Sequence, residues 1–164
     1  MEKRKTPKRK SRKVTDPSTG KASVHCKVGT REGRVPANGC WDIWLPIVPV
    51  PASRPRFSRW GGPYYGKRYT AFRKEAAVIL EQLELPVEFP LRGELEASVV
   101  FTVQKPRTSK RTNPRGDVDN YFKTLDVLNG IIWEDDDQLV AATMRKRFGE
   151  LPGISLEVYG ICSA

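Results

Sequence analysis

The segment 116–138, GDVDNYFKTLDVLNGIIWEDDDQ, constrains the fold of this chain more than any other stretch. Its apolar residues recur at helical spacing and need a surface to pack on, whereas its carboxylates need water or a cation. The acidic residues stand mostly at its two ends and are Asp117, Asp119, Asp126, Glu134, Asp135, Asp136 and Asp137. The fold must therefore bury one face of a short helix and leave the other exposed.

The rest of the chain has the opposite charge. With 29 lysines and arginines against 19 aspartates and glutamates, the formal net charge is +10. Such a protein attracts polyanions, because cations that neutralise phosphates release condensed counterions. An acidic protein partner or an anionic membrane surface would also fit the charge alone. The function classes that remain are binding to, or chemistry on, an anionic partner.

Neither membrane insertion nor metal binding by cysteines is indicated. No apolar run approaches the roughly 20 residues that span a bilayer, and residues 1–13 lack the apolar part of a secretory signal. The protein is therefore expected in the cytoplasm. Cys26, Cys40 and Cys162 form no C-x-x-C pair, so neither a disulfide framework nor a zinc finger is predicted.

The chain divides into a tail and one domain. Residues 1–40 are rich in Lys, Arg, Pro, Ser, Thr and Gly and have almost no hydrophobic periodicity, which predicts a basic, disordered N-terminal tail. Residues 41–164 are the length of one ordinary domain. The folded domain is therefore predicted to begin near Trp41.

Periodicity within the domain predicts six elements in the order strand, helix, strand, helix, strand, strand. A proline-punctured strand begins at Trp41 and is predicted to be an edge strand or one that soon breaks. Helical spacing places Phe72, Ala76, Ile79 and Leu83 on one face of a helix over 70–85. The other predicted elements are a strand over 93–104, a helix from Asp117 or Val118 to 128 or 129, and strands over 139–148 and 154–159. This order predicts an α+β fold with a small mixed or largely antiparallel sheet and two main helices packed on it.

Two basic segments precede the acidic one. Between 52 and 69, cations alternate with aromatic residues around Gly61 and Gly62, which suits phosphate contact and base stacking. A hairpin whose aromatic residues pack on the core is an equal alternative. The second basic segment, 105–115, leads directly into Asp117. The predicted DNA-binding residues are Arg54, Arg56, Arg59, Lys67, Arg68, Lys105, Arg107, Lys110, Arg111 and Arg115.

The carboxylates predict a divalent metal site. At about 100° per residue, Asp119, Lys123 and Asp126 fall within a sector of roughly 60° on one helix. If the chain returns past the helix start after the turn at Asn129 and Gly130, then Asp117, Asp119 and one later aspartate share a site. Carboxylates at such short distances repel one another unless a cation lies between them. Mg²⁺ or Mn²⁺ suits a site made only of oxygen ligands.

A metal there, with Lys123 stabilising charge in the transition state, points to phosphodiester hydrolysis. Each part also has an ordinary structural reading. An aspartate at a helix start is commonly a cap, an aspartate and a lysine four residues apart are commonly a surface pair, and an acidic run is commonly solvated. The ordered combination favours the hydrolytic hypothesis.

The motifs in this order resemble the RusA family of Holliday junction resolvases. The resemblance is carried by Asp117, Asp119-Asn120, Lys123, Asn129-Gly130, Trp133, Asp135-Asp136 and Gln138, and by the upstream string VPVPASRPRFS. It covers residues 45–159. Asp126 has no counterpart in the family pattern, and Asp137 stands where the family usually has a small or neutral residue.

The resemblance implies a homodimeric, Mg²⁺-dependent endodeoxyribonuclease that nicks four-way DNA junctions symmetrically in DNA recombination and repair, with Mn²⁺ as a possible substitute. It implies a bacterial or phage-encoded protein that works in the cytoplasm. The catalytic residues carried over are Asp117, Asp119, Lys123 and Asp136, of which the three aspartates are the metal ligands. Two alternatives stay open: a non-catalytic nucleic-acid-binding protein, and a metal-dependent nuclease acting on flaps, forks or RNA.

Overall fold

The structure is a computed structural model that describes residues 20–27, 39–59 and 61–161. The strands are β1 (Ser23–Lys27), β2 (Cys40–Leu45), β3 (Arg56–Ser58), β4 (Gly61–Tyr64), β5 (Leu95–Val103), β6 (Leu139–Phe148) and β7 (Gly153–Gly160). The α-helices are α1 (Lys67–Glu81) and α2 (Val118–Phe122), and Lys123–Leu128 and Asp136–Gln138 are 3₁₀ helices. Five strands form one sheet in the order β1-β2-β7-β5-β6, and β3 and β4 form a separate hairpin.

The acidic segment lies on the connection between two neighbouring strands. In the five-stranded sheet β5 and β6 are parallel, whereas the other neighbouring pairs are antiparallel. Parallel strands cannot be joined by a tight hairpin and need a crossover of a dozen or more residues. Here the crossover is 104–138, so it carries both the second basic segment and all the predicted carboxylates.

The core lies between one face of the sheet and the helical elements. Alternation along β5 buries Leu95, Ala97, Val99 and Phe101, each with 1% exposure or less. On the helical side, the buried residues of α1 are Tyr69, Phe72, Ala76 and Leu80, and the crossover contributes Tyr121, Leu125, Leu128, Ile132 and Trp133. The crossover is thus anchored by its own apolar residues.

The predicted α+β class and the order of elements are confirmed. Helix α1 begins at Lys67 and ends at Glu81, earlier at both ends than the predicted 70–85. Phe72 and Ala76 lie on its buried face as predicted, whereas Ile79 and Leu83 are only partly buried. The buried face is shifted because Tyr69 and Leu80 share it.

The predicted disordered tail requires a correction at one place. Ser23–Lys27 form β1, which pairs antiparallel with β2, so β2 is an inner strand and not an edge strand. The end of β2 at Leu45, before Pro46, agrees with the other predicted possibility, a strand that soon breaks. Val24 packs against the core and helps to hold this pairing. Residues 1–19 and 28–38 of the predicted tail lie outside the described residues, as do Trp60 and Cys162.

Among the helices in the described ranges, none is both long enough and apolar enough to cross a bilayer. The cytoplasmic location stays a prediction.

Candidate active site

The turn that leads into α2 presents the Asp117 carboxylate without a capping hydrogen bond. Gly116 has a positive φ of 99°, which favours glycine, and a Cβ there would lie in tight contact with Cγ of Pro51, at 3.2 Å. Asp117 follows in an extended conformation at the N-cap position but makes no side-chain capping hydrogen bond. The cap that is the usual role of such an aspartate is therefore not formed, and the Asp117 side chain is exposed.

Asp119 and Lys123 are adjacent, as the helical spacing predicts. Lys123 Nζ donates a hydrogen bond to Asp119 Oδ2 at 3.1 Å, and both side chains are more than half exposed, at 63% and 57%. The hydrogen bond from Lys123 is the main reason that the pKa of Asp119 is lowered from its ordinary value. The pair therefore presents an ionised carboxylate and an ammonium group to solvent.

Asp126 does not join that pair. The predicted single helix ends at Phe122, and Lys123–Leu128 continue as a tighter 3₁₀ helix. The Asp126 carboxylate accepts a hydrogen bond from the Tyr69 hydroxyl of α1 at 3.4 Å. Burial, followed by the charge of Asp126, raises the pKa of Tyr69 to about 12. Asp126 therefore links the crossover to α1.

Two of the later acidic residues are engaged in structural contacts. Glu134 Oε1 pairs with Arg92 Nε at 2.9 Å. Asp135 is the N-cap of the 3₁₀ helix Asp136–Gln138 and forms a capping box with Gln138, whose side chain accepts from the Asp135 backbone N–H at 2.9 Å. Gln138 Nε2 also donates to the carbonyl of Gly93 at 2.9 Å, which fastens the turn to the start of β5.

Asn129 connects the acidic turn to the core. Its Nδ2 donates to Oδ1 of Asp135 and of Asp136, each at 3.4 Å, and its Oδ1 accepts from Nε1 of the buried Trp133 at 2.7 Å. The hydrogen bond between Asp135 and Asp136 is the main cause of a raised pKa at Asp136. Asp136 and Asp137 are exposed, so either carboxylate is accessible to a ligand.

The donor chemistry suits a hard divalent cation, but the three predicted ligands are not gathered. Carboxylate oxygens are what Mg²⁺ and Mn²⁺ accept, and Asp117, Asp119 and Asp136 are all exposed. Within the described ranges, however, no three His, Cys, Asp or Glu side chains stand close enough together to hold a metal ion. Their joint role as ligands stays a prediction.

Cations from both basic segments converge beside the acidic one. Each of the ten predicted DNA-binding residues is exposed. Arg68, Arg111 and Arg115 line a cavity of about 510 Å³ that is also lined by Gly116, next to Asp117. The Tyr121 hydroxyl donates to the carbonyl of Arg115 at 2.9 Å and holds the end of the second basic segment against α2.

The first basic segment contains a hairpin, and three of its aromatic residues in the described ranges are exposed. Phe57, Tyr64 and Tyr65 are 79%, 48% and 40% exposed. The alternative in which these side chains fill the core is therefore wrong for all three. Tyr69, at the end of the segment, is the exception and is buried in α1.

Sequence reasoning missed two residues near the carboxylates. Lys146 of β6 donates from Nζ to the carbonyl of Gly116, and so supports the turn that presents Asp117. Tyr69 holds Asp126 away from the Asp119–Lys123 pair. Both contacts join residues far apart in sequence, and the only signal for Lys146 is its place on the strand that follows the acidic turn.

Exposed carboxylates and a lysine lie near a largely apolar cavity to which Arg68, Arg111 and Arg115 contribute. This arrangement suits enzymes that act on nucleic-acid phosphates. One known family of such enzymes matches this chain. Residues 46–159 match the family described as Endodeoxyribonuclease RusA, so the chain belongs to the RusA family. No individual curated protein matches the chain.

Proposed function

We propose that this protein is a structure-specific endodeoxyribonuclease that resolves four-way DNA junctions by metal-dependent phosphodiester hydrolysis. Membership of the RusA family supports nuclease action on Holliday junctions. The observation that carries the proposal is the cavity lined by Arg68, Arg111 and Arg115 beside Gly116, because the three guanidinium groups form a cationic surface suited to phosphate contact next to the turn that carries Asp117. The exposed cations of the two basic segments extend that surface along the DNA backbone.

The roles of the site residues follow from their charge and accessibility. A divalent metal, Mg²⁺ with Mn²⁺ as a substitute, would be held by Asp117, Asp119 and Asp136 and would supply an activated water and a Lewis acid. Asp119 is suited to this role because its lowered pKa keeps the carboxylate ionised. The Lys123 side chain is 63% exposed, and its ammonium group would stabilise negative charge that develops on the scissile phosphate.

A homodimer completes the proposal. A four-way junction has two equivalent phosphodiester bonds related by a two-fold axis, so two identical active sites related by the same axis would give paired symmetric nicks. Each copy would then contribute its own set of Asp117, Asp119, Asp136 and Lys123.

The test is cleavage of a labelled synthetic four-way junction with and without Mg²⁺ or Mn²⁺. The wild type is expected to nick the junction only with metal, and Asp119→Asn is expected to abolish nicking while binding the junction as well or better, because a negative charge beside the DNA is removed. Asp126→Asn is the matched control, since that carboxylate bonds Tyr69 instead, and it should cleave nearly as well as the wild type.

Other outcomes identify the alternatives. Junction binding with no metal-dependent nicking on any substrate would indicate the non-catalytic nucleic-acid-binding protein. Faster cleavage of flaps, forks or RNA than of four-way junctions would indicate the nuclease with a different substrate. Nicking by Asp119→Asn at the wild-type rate would contradict the assignment of the metal site.

A further inference from the structure

The hairpin β3–β4 carries apolar surface that the fold does not use. All three residues of β3 are exposed, and Phe57 has 79% of its surface in contact with solvent. The two strands form a sheet of their own, separate from the five-stranded one. A single exposed aromatic residue is ordinary on a protein surface. Phe57, however, is followed on the same hairpin by the half-exposed Tyr64, so packing explains neither side chain.

Arginines stand next to these two aromatic residues in the hairpin register or in the sequence. Arg56 stands directly opposite Tyr64 in the hairpin register, and Arg54 and Arg59 lie on either side of β3 in sequence; all three are exposed. Exposed aromatic rings interleaved with arginines are how proteins bind unpaired nucleic acid, because the rings stack on bases while the cations contact the phosphates. The charges therefore favour a nucleic-acid base over an apolar protein partner as the group that covers Phe57.

The base of the hairpin is fastened to the elements that present the carboxylates. Ala52 N–H donates to the carbonyl of Asn120, the residue after Asp119, at 2.6 Å. Ser53 Oγ accepts from the backbone N–H of Gly66 at 3.1 Å, which closes the hairpin at its base. Phe57 stands five positions after Ala52, so at about 3.3 Å per residue its backbone lies within roughly 17 Å of this anchor. That distance spans about five nucleotides of one strand at 3.4 Å each.

We propose that Phe57 stacks on an unpaired nucleobase at the branch point of the DNA substrate. This inference rests on the proposed function and deepens it, because it explains how branched DNA is distinguished from duplex. Within a duplex both faces of each base are covered by neighbouring bases, whereas a branch point offers faces that a protruding ring can cover. The anchor at Asn120 then limits how far the branch point can lie from the carboxylates of α2.

The test uses four-way junctions that carry 2-aminopurine, a base whose fluorescence rises when it leaves the base stack, either at the branch point or in the middle of an arm. Asp119→Asn serves as the parent so that binding is measured without cleavage. The parent is expected to raise fluorescence at the branch point and not in the arm. Adding Phe57→Ala should remove most of that rise and weaken junction binding about 10-fold, with duplex binding unchanged.

Two further variants make the result specific. Phe57→Trp keeps a ring that can stack and should restore both the fluorescence rise and the affinity. Val87→Ala removes an apolar side chain that is 95% exposed but lies outside the hairpin, and it should change neither. Because Phe57 is exposed, its replacement should leave the circular dichroism spectrum and the thermal unfolding of the protein unchanged.

The outcomes separate this inference from the nuclease proposal. An unchanged fluorescence rise with Phe57→Ala overturns the stacking role, and so does an equal loss with Val87→Ala. If the wild type cleaves the junction while Phe57→Ala leaves fluorescence unchanged, the nuclease proposal stands and the stacking role fails. If the wild type does not cleave but Phe57→Ala abolishes the rise, the stacking role stands in a protein that only binds DNA.

Discussion

The two ends of the acidic segment hold the same residue types in different states. At α2, Asp117 makes no capping bond and Asp119 pairs with the exposed Lys123. At the far end, Glu134 pairs with Arg92, and Asp135 forms a capping box. The first end leaves Asp117 without a capping role, whereas the second uses two of its four acidic side chains, those of Glu134 and Asp135, in structural contacts. A count of acidic residues therefore overstates how many are available for chemistry.

The largest effect is expected where the second end enters the core. Trp133 is fully buried and donates to Asn129, so Trp133→Ala leaves a cavity and removes the partner that orients Asn129. The free energy of unfolding should fall by about 4 kcal/mol, measured by urea denaturation. Trp133→Phe keeps most of the volume and should lose less than half as much. An equal loss for both variants would mean that the hydrogen bond, and not packing, holds the turn.

The comparison between the two ends is tested directly by Asp117→Asn and Asp135→Asn. Asp117→Asn removes a charge that is not used for capping and should lower the rate of junction cleavage by about 100-fold. Asparagine caps helices as well as aspartate does, so Asp135→Asn should keep the turn and change the rate by less than about 5-fold. Equal losses of cleavage rate for the two variants would contradict the assignment of Asp117 to catalysis and of Asp135 to the turn.

A smaller effect is expected for Asn129→Ala. The variant leaves Nε1 of the buried Trp133 without its acceptor and removes the donor shared by Asp135 and Asp136. We expect a loss of about 2 kcal/mol in the free energy of unfolding, because an unsatisfied buried donor is costly. The matched control is Asn113→Ala at an exposed position, which should change stability by less than about 0.5 kcal/mol.

The smallest effect concerns pH. The folded-state pKa of Tyr69 is raised to about 12 from an ordinary value of 10.0, so the folded protein holds a proton that the unfolded chain releases above pH 10. This stability is fully present below pH 10 and is lost as the pH rises towards 12. Tyr69→Phe should lose less stability over that window, by on the order of 1 kcal/mol, in urea unfolding at a series of pH values. Parallel curves for the two proteins would contradict the raised pKa.

Local patterns in the sequence were enough to predict the order of elements and the Asp119–Lys123 pair. The alternation of Leu95 to Val103 and the four-residue spacing on α2 are properties of short segments. Sequence reasoning did not find β1, because strand pairing with β2 depends on where the chain returns in space. It also placed Asp126 beside Lys123, because nothing in the local sequence indicates that the hydroxyl of Tyr69, 57 residues earlier, donates a hydrogen bond to the Asp126 carboxylate.

The 3₁₀ helix was missed for a local reason that becomes visible only in the structure. The Thr124 hydroxyl is fully buried and donates to the carbonyl of Tyr121 at 2.6 Å, within the turn where the helix tightens. Side chains of this kind compete with the backbone for helical hydrogen bonds. The prediction that Asp119, Lys123 and Asp126 share one face assumed an unbroken α-helix. The 3₁₀ helix from Lys123 to Leu128 turns Asp126 away from that face.

The position of β6 in the sheet has a consequence for how the site survives heat. β6 pairs with β5, no other strand in the described ranges covers its far edge, and Lys146 on it supports the Gly116 turn. Edge strands open at lower free energy than the centre of a sheet, and such openings expose backbone amides to exchange with solvent. The amides of β6 should therefore exchange before those of β5 and β7. On heating, cleavage activity would be lost when β6 separates from β5. The other four strands of the sheet would still be folded at that temperature.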